Sequence, residues 1–311
     1  MTVFHLSIKL IMFISIGYIG RKVKALPDGF DKMLTKFLLA IPIPAMIIHS
    51  FFNVEFSMEQ LVTCPEVIGL AVLTLAIAFA IAFLCGRFVK GPAKKPARYG
   101  LIFSNFTFFG MPLVNEIYGA VATFYYVIFC LPVRILFYGS APVMLGASDK
   151  KVSARDTVKQ FLCAPVYSVL IGLVLYITQI DLPATVSEVI ESVGDMSAPL
   201  GMMLCGCIIA DSKWSGILKY PCIFWLAAVK MLVIPAVMMG VMLLLGIEPL
   251  IIKSLTFYFC MPAASFLPAF CLRYDHENVE ARTMGGFFVV LTTVLCIVIV
   301  PVWTLILERA C

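Results

Sequence analysis

The stretch "SNFTFFGMPLVNEIYG", Ser104–Gly119, decides how this chain is read. It lies between apolar runs long enough to cross a membrane, yet it holds Ser104, Asn105, Thr107, Gly110, Pro112, Asn115 and Glu116. A proline inside a helix removes a donor and clashes with the carbonyl one turn back, leaving backbone groups unpaired. In hydrocarbon each such group costs several kcal/mol unless protein or a water-filled cavity receives it. A polar, proline-bearing segment in such a place therefore faces protein or cargo, not lipid.

The surrounding composition sets the medium. The chain has 311 residues, 62% of them hydrophobic and 13% charged, and a mean hydropathy of +1.03, which excludes a soluble globular domain. Crossing ~30 Å of hydrocarbon takes about 20 helical residues, and the apolar runs lack the alternation of barrel strands. The expected fold is an all-α polytopic membrane protein with ten spans, roughly 4–20, 33–52, 62–86, 98–118, 120–146, 158–178, 186–210, 219–246, 249–273 and 283–307. The first run has no small-residue cleavage site and reads as a retained helix.

Basic residues choose the orientation. The odd loops carry them: Arg21, Lys22, Lys24 and Lys32; then Arg87, Lys90, Lys94, Lys95 and Arg98; then Lys150, Lys151, Arg155 and Lys159; then Lys213 and Lys219; and finally Arg273 and Arg282. The second, fourth and sixth loops have none, and the eighth ends in Lys253 alone. Odd loops are thus expected in the cytoplasm and both termini outside a cell membrane. This bias accounts for the net charge of +5, so the expected partner is the lipid bilayer and not nucleic acid.

No metal site or cofactor is expected. The eleven cysteines lack the paired spacing of a zinc site, and Cys205 and Cys207 point to different faces of their helix. His5 and His49 fall near external boundaries, and His276 falls in a cytoplasmic loop beside Asp275. No Ser-His pair, HExxH or paired aspartates support an enzyme.

Two weak internal matches point to inverted repeats. Gly17, Pro27, Pro42 and Pro44 keep nearly the same intervals as Gly172, Pro183 and Pro199. Pro112 followed by Tyr118-Gly119 mirrors Pro268 followed by Tyr274-Asp275 in "MPAASFLPAFCLRYDHE". The expected units are 1–147 and 156–311, joined by a cytoplasmic linker at 148–155. With five spans each, the second unit runs opposite to the first, and both matched prolines fall in the fourth helix of a unit. Two broken helices crossing near the bilayer middle bring half-helix N-termini and free carbonyls to one site. Asn105, Thr107, Pro112, Asn115, Ser265 and Pro268 are the candidate substrate-binding residues. The plainer alternative is a pair of ordinary kinks, with Ser and Asn bonding neighbouring helices.

The pattern of "FSNFTFFGMPLVNEIYG", "SAPLGMMLCGCIIA" and "MPAASFLPAFCLRYDHE" resembles the auxin efflux carrier family, which includes plant PIN proteins and bacterial organic-anion permeases. The resemblance covers essentially the whole chain. It implies an inverted-repeat fold shared with bile acid sodium symporters, a scaffold part and a transport part, a homodimer, and Pro112 and Pro268 as crossover prolines. The long cytoplasmic loop of some plant members is absent, which favours a bacterial-type carrier.

Charges within spans are expensive unless paired or solvated. Arg134 and Lys230 lie near the middle of their helices, where each is either a carboxylate-binding cation or a structural one. Glu116, four residues past Pro112 and on about the same face, is either a proton carrier or a solvated helix end. The expected function is a secondary carrier for a small organic anion, a mono- or dicarboxylate such as malate or malonate or an auxin-like acid, moved by alternating access. Any coupling is to a proton, an ion such as sodium or the membrane potential. The alternative is a membrane sensor that binds in the same pocket without transport.

Overall fold

The computed structural model describes residues 3–146, 164–211, 214–275 and 277–311. The expected linker at 148–155 and His276 lie outside the described residues, as do Lys150, Lys151, Arg155, Lys159 and Lys213 and the start of the sixth expected span. The elements are helical throughout. In order they are α1 Val3–Lys22, α2 Phe30–Ala40, α3 Pro42–Phe52, α4 Met58–Cys85, α5 Lys94–Ile102 and α6 Met111–Leu145. They continue as α7 Ala164–Thr178, α8 Ala184–Asp195, α9 Ser197–Asp211, α10 Cys222–Ala228, α11 Ile234–Leu244, α12 Pro249–Cys260, α13 Leu267–Tyr274 and α14 Val279–Ala310. Two π-helical turns, Phe106–Gly110 and Val229–Val233, lead into α6 and α11.

Local chemistry sets several of these ends. The Ser57 hydroxyl accepts from the Gln60 N–H at the start of α4, and the Asn278 side chain accepts from the Ala281 N–H at the start of α14, at 3.0 Å. Arg21 and Lys22 close α1, where the carbonyl end of a helix favours cations. Within α6, Gly119 takes φ +80° and ψ −170°, a conformation open to glycine and strained for other residues. The run is therefore two helices meeting at a reversal.

Among the described residues six helical runs are long and apolar enough to cross a membrane, Phe30–Phe52, Met58–Cys85, Phe106–Leu145, Ala184–Asp211, Cys222–Leu244 and Val279–Ala310, with shorter apolar helices at Ala164–Thr178 and Pro249–Cys260. Their outer surface is apolar too: Leu244 and Val143 are 89% and 83% exposed, a surface that suits lipid and not water.

The helices pack in two groups. In one, α1 runs along α9, and α3 lies against α7 and α8. In the other, α6 packs on α4 and α12, α5 on α4 and α14, and α13 on α14. The groups meet where α3 crosses α6 and α1 meets α14. An aromatic core fills the second group, with Tyr99 and Phe103 ring centres 4.6 Å apart and Phe137 and Phe270 5.2 Å apart. The Tyr99 hydroxyl donates to the Phe137 carbonyl at 2.6 Å, so its one polar group is satisfied inside that core.

One expectation is corrected. The helices do not unwind at Pro112 or Pro268. They unwind earlier, around Phe103–Asn105, where Phe103 has φ −100° and ψ 126°, and between α12 and α13, a segment that contains Pro262. Pro268 stands within the first two positions of α13, where the missing N–H needs no helical partner, whereas Pro112 directly follows the π turn Phe106–Gly110 inside a continuous helical run. Ahead of Pro112 the wider π turn also relieves the clash between the ring and the preceding turn.

Candidate functional site

The two unwound segments cross and pair. Ser104 and Ala263 form an isolated antiparallel bridge. The Asn105 N–H donates to the Pro262 carbonyl at 2.8 Å, and the Ala264 N–H to the Phe103 carbonyl at 3.1 Å. Side chains take most of what remains. The Ala263 N–H donates to Thr292 Oγ1 at 3.1 Å. The Ser104 N–H donates to the Tyr258 hydroxyl at 3.4 Å, and that hydroxyl donates to the Ile102 carbonyl at 3.4 Å. Lys230 Nζ donates to the Leu101 carbonyl at 3.0 Å and to Ser104 Oγ at 2.7 Å. The helix bonds lost by unwinding are thus replaced inside the protein, as buried backbone groups require.

The carbonyl ends of α5 and α12 and the N–H ends of the π turn and α13 converge here, so partial charges of both signs face a small volume. Asn105 Nδ2 donates to Ser265 Oγ at 2.8 Å. Arg134 Nη2 donates to Thr107 Oγ1 at 3.4 Å, and its guanidinium lies 5.3 Å from the centre of the Phe106 ring. Arg134 is only 4% exposed. Asn105, Thr107, Arg134 and Ser265 line one small cavity of about 20 Å³. A cavity of about 760 Å³ shares Leu39, Phe108, Ser265 and Phe266 with it. The larger space lies between the two packing groups. Leu204 and Ile208 line it from α9, Pro268 and Val290 from α13 and α14, and Asp31, Lys32, Lys36 and Arg282 supply its charged groups.

A cavity that ends on crossed, unwound helices in an apolar bundle is the arrangement of a membrane carrier. The sequence model of the membrane transport protein family matches residues 2–304. The chain belongs to this family, that of the auxin efflux carriers. Comparison with curated proteins returns no significant match.

In this family member the structure brings together some of the sequence-expected residues and separates others. Asn105, Thr107, Ser265 and Arg134 gather at the crossover, and Pro268 lines the large cavity. Pro112 lines neither cavity. It offers no N–H to the Phe108 carbonyl one turn back, and Gly201 of α9 packs on that oxygen so closely that a Cβ there would collide with it. Asn115 faces away and accepts from the Thr123 hydroxyl at 3.1 Å, beside the Gly119 reversal. Glu116 forms a part-exposed ion pair with Lys9 of α1. Lys230 touches the crossover from outside the two cavities.

Tyr258 and Thr292 were not singled out in the sequence. Each is a hydroxyl in an apolar helix, a signal shared by many residues that merely bond back to their own helix. Only the pairing of the two unwound segments shows what these two receive.

Proposed function

We propose that this membrane transport protein is a secondary carrier of a small organic anion, built as two inverted units of five spans and working by alternating access. The observation that carries the reading is the cavity of about 760 Å³ between the two packing groups, which runs from Lys32, Lys36 and Arg282 to Ser265 at the crossover. Three cations against Asp31 give its lining a net positive charge, which raises the local concentration of anions. Arg134 beside Thr107 and Asn105 offers a forked donor suited to a carboxylate. The apolar body of the lining, with Phe108, Phe287 and Val290, favours a carboxylate with an apolar portion over a fully hydrated one.

The opposite face supports the same reading. The run Phe30–Phe52 is long enough to carry the chain across the bilayer from Asp31 and Lys32 to Ser57. There the Tyr176 hydroxyl of α7 accepts from the Ser57 N–H at 3.0 Å and donates to Gln60 Oε1 at 2.9 Å. Lys9 and Glu116 make a second tie between the two groups. The groups are therefore joined on one face and parted by the cavity on the other. The inverted repeat is supported by the paired unwound segments, and by helix ends at Gly119 and Asp275 after Pro112 and Pro268. The basic odd loops support a cytoplasmic cavity side and external termini. No observation favours the sensor reading.

The test is uptake into proteoliposomes holding the purified protein, with labelled aliphatic, aromatic and dicarboxylic acids under imposed proton, sodium and voltage gradients. The carrier reading expects saturable accumulation of at least one acid and its loss in a folded Asn105→Ala variant. Binding without flux under every gradient overturns it.

A further inference from the structure

Lys230 is fully buried, and among the described residues no carboxylate lies within ion-pair distance of it. An uncompensated charge in an apolar bundle is costly, so its partners must explain its presence. They are two neutral oxygens, the Leu101 carbonyl and the Ser104 hydroxyl. Leu101 belongs to the carbonyl end of α5, which carries the partial negative charge of that helix. Ser104 belongs to the unwound segment itself.

The local fold delivers the ammonium to this point. Lys230 sits in the π turn Val229–Val233, just ahead of Pro235 in α11. The extra residue in that turn changes the helix phase, as π turns at functional positions do. Trp303 Nε1 donates to the Met231 carbonyl at 2.8 Å and holds the widened turn.

In carriers built on broken helices, coupling cations bind at free carbonyls and at the carbonyl ends of half-helices. Lys230 places a covalently attached cation among such groups. We propose that the Lys230 ammonium is a tethered substitute for a mobile cation, so that the crossover of this protein is electrostatically complete without sodium. The proposal rests on the carrier reading for its meaning in transport. Its structural content is tested separately. Lys230 acts here as a positioning residue, fixing the carbonyl end of α5 against Ser104.

The experiment compares thermal unfolding of the full chain in nanodiscs in sodium, potassium or choline chloride at equal ionic strength. The unsubstituted protein is expected to melt at one temperature in all three salts. Lys230→Ala opens the oxygen-lined space, and sodium is expected to raise its melting temperature over choline by about 2–5 °C. Lys230→Arg, which keeps the charge, is expected to ignore sodium. A sodium-selective rise in the unsubstituted protein overturns the proposal, and so does a folded Lys230→Ala variant that melts alike in sodium and choline. If Lys230→Ala does not fold, Lys230→Arg and Lys230→Met decide: a folded Arg variant beside a defective Met variant supports the tethered charge, and equal behaviour of the two overturns it. Absence of flux for every acid in proteoliposomes sinks the carrier reading and leaves the melting result standing.

Discussion

Thr292→Val is the sharpest test of how the crossover is held. The substitution is nearly isosteric and removes one hydroxyl. That hydroxyl bonds back to the Phe288 and Val289 carbonyls at 2.8 and 3.0 Å, oxygens that lie in a helix and keep its backbone bonds. Its distinctive task is to accept from the Ala263 N–H at 3.1 Å. Ala263 and Thr292 are both fully buried, so valine leaves one N–H with neither partner nor water. An orphaned buried donor costs about 1–3 kcal/mol. Side-chain hydrogen bonds measured in a membrane protein average only about 0.6 kcal/mol, with a maximum near 1.7, because the unfolded chain in the membrane also finds partners. The first figure counts an orphan and the second a weakened pair. The orphan applies here, since valine offers no acceptor, and the membrane reference state pulls the expectation down to about 1–2 kcal/mol. Reversible unfolding in mixed micelles by SDS titration measures it, with Thr292→Ser as the control that keeps the oxygen. A Val variant within about 0.3 kcal/mol of the Ser variant would refute the argument that this hydroxyl completes the unwound segment.

Other consequences are equally open to measurement. Asn105→Ala and Ser265→Ala should each destabilise by about 1 kcal/mol, and the double variant should cost less than their sum by about 0.5–1 kcal/mol, because they share one bond at 2.8 Å; strict additivity in a double-mutant cycle would show that the bond does not form. Arg134→Lys keeps charge but loses the guanidinium fork, and KM for the transported acid should rise about ten-fold with little change in unfolding, whereas an unchanged KM would remove Arg134 from the substrate path. If access alternates as proposed, Lys9→Gln or Glu116→Gln should shift the balance between the two states by about two- to five-fold, the scale of a part-exposed ion pair, read as maleimide labelling of a cysteine introduced at Met202, which lines the pocket beside the pair. The swap Lys9→Glu with Glu116→Lys should restore the original labelling rate.

The all-helical, apolar character of the chain and the polar kink were legible because hydropathy is a local property. Asn105, Thr107, Ser265 and Arg134 could be picked out as polar groups in an apolar context, and they do meet. The position of unwinding was not legible. Proline marks a place where a helix is weak, but Pro268 is tolerated in a first turn and Pro112 just after a widened π turn, while the actual break at Phe103–Asn105 contains no proline. That break depends on Pro262 and Ala263, partners about 160 residues away, and long-range pairing leaves no local signal. Asn115 and Glu116 lie away from the crossover cavities for a different reason. They do share a helix face with Pro112, but they stand a turn farther along, where the chain has left the crossover and nears the Gly119 reversal. Lys9 lies in the first apolar run, read from sequence as a retained helix, and its place opposite Glu116 gives it a role.

Where the bonds lie also constrains how access changes under the carrier reading. Each bond that replaces the lost helix bonds, from Asn105 to Pro262, Phe103 to Ala264, Ser104 to Tyr258, Ala263 to Thr292 and Leu101 to Lys230, joins members of the second packing group. Opening the crossover would break several of them at about 1 kcal/mol or more each. By contrast, polar ties between groups include the Lys9–Glu116 pair, half exposed on its lysine side, and the Tyr176 bonds to Ser57 and Gln60. The Gly201 contact on the Phe108 carbonyl adds a smooth surface with no side chain to interlock. Moving one group past the other therefore costs less than rearranging the crossover. Under the proposed carrier reading, the crossover would therefore travel as a rigid unit, and the surfaces that part and close would be those of α1, α3 and α9 against α6 and α14.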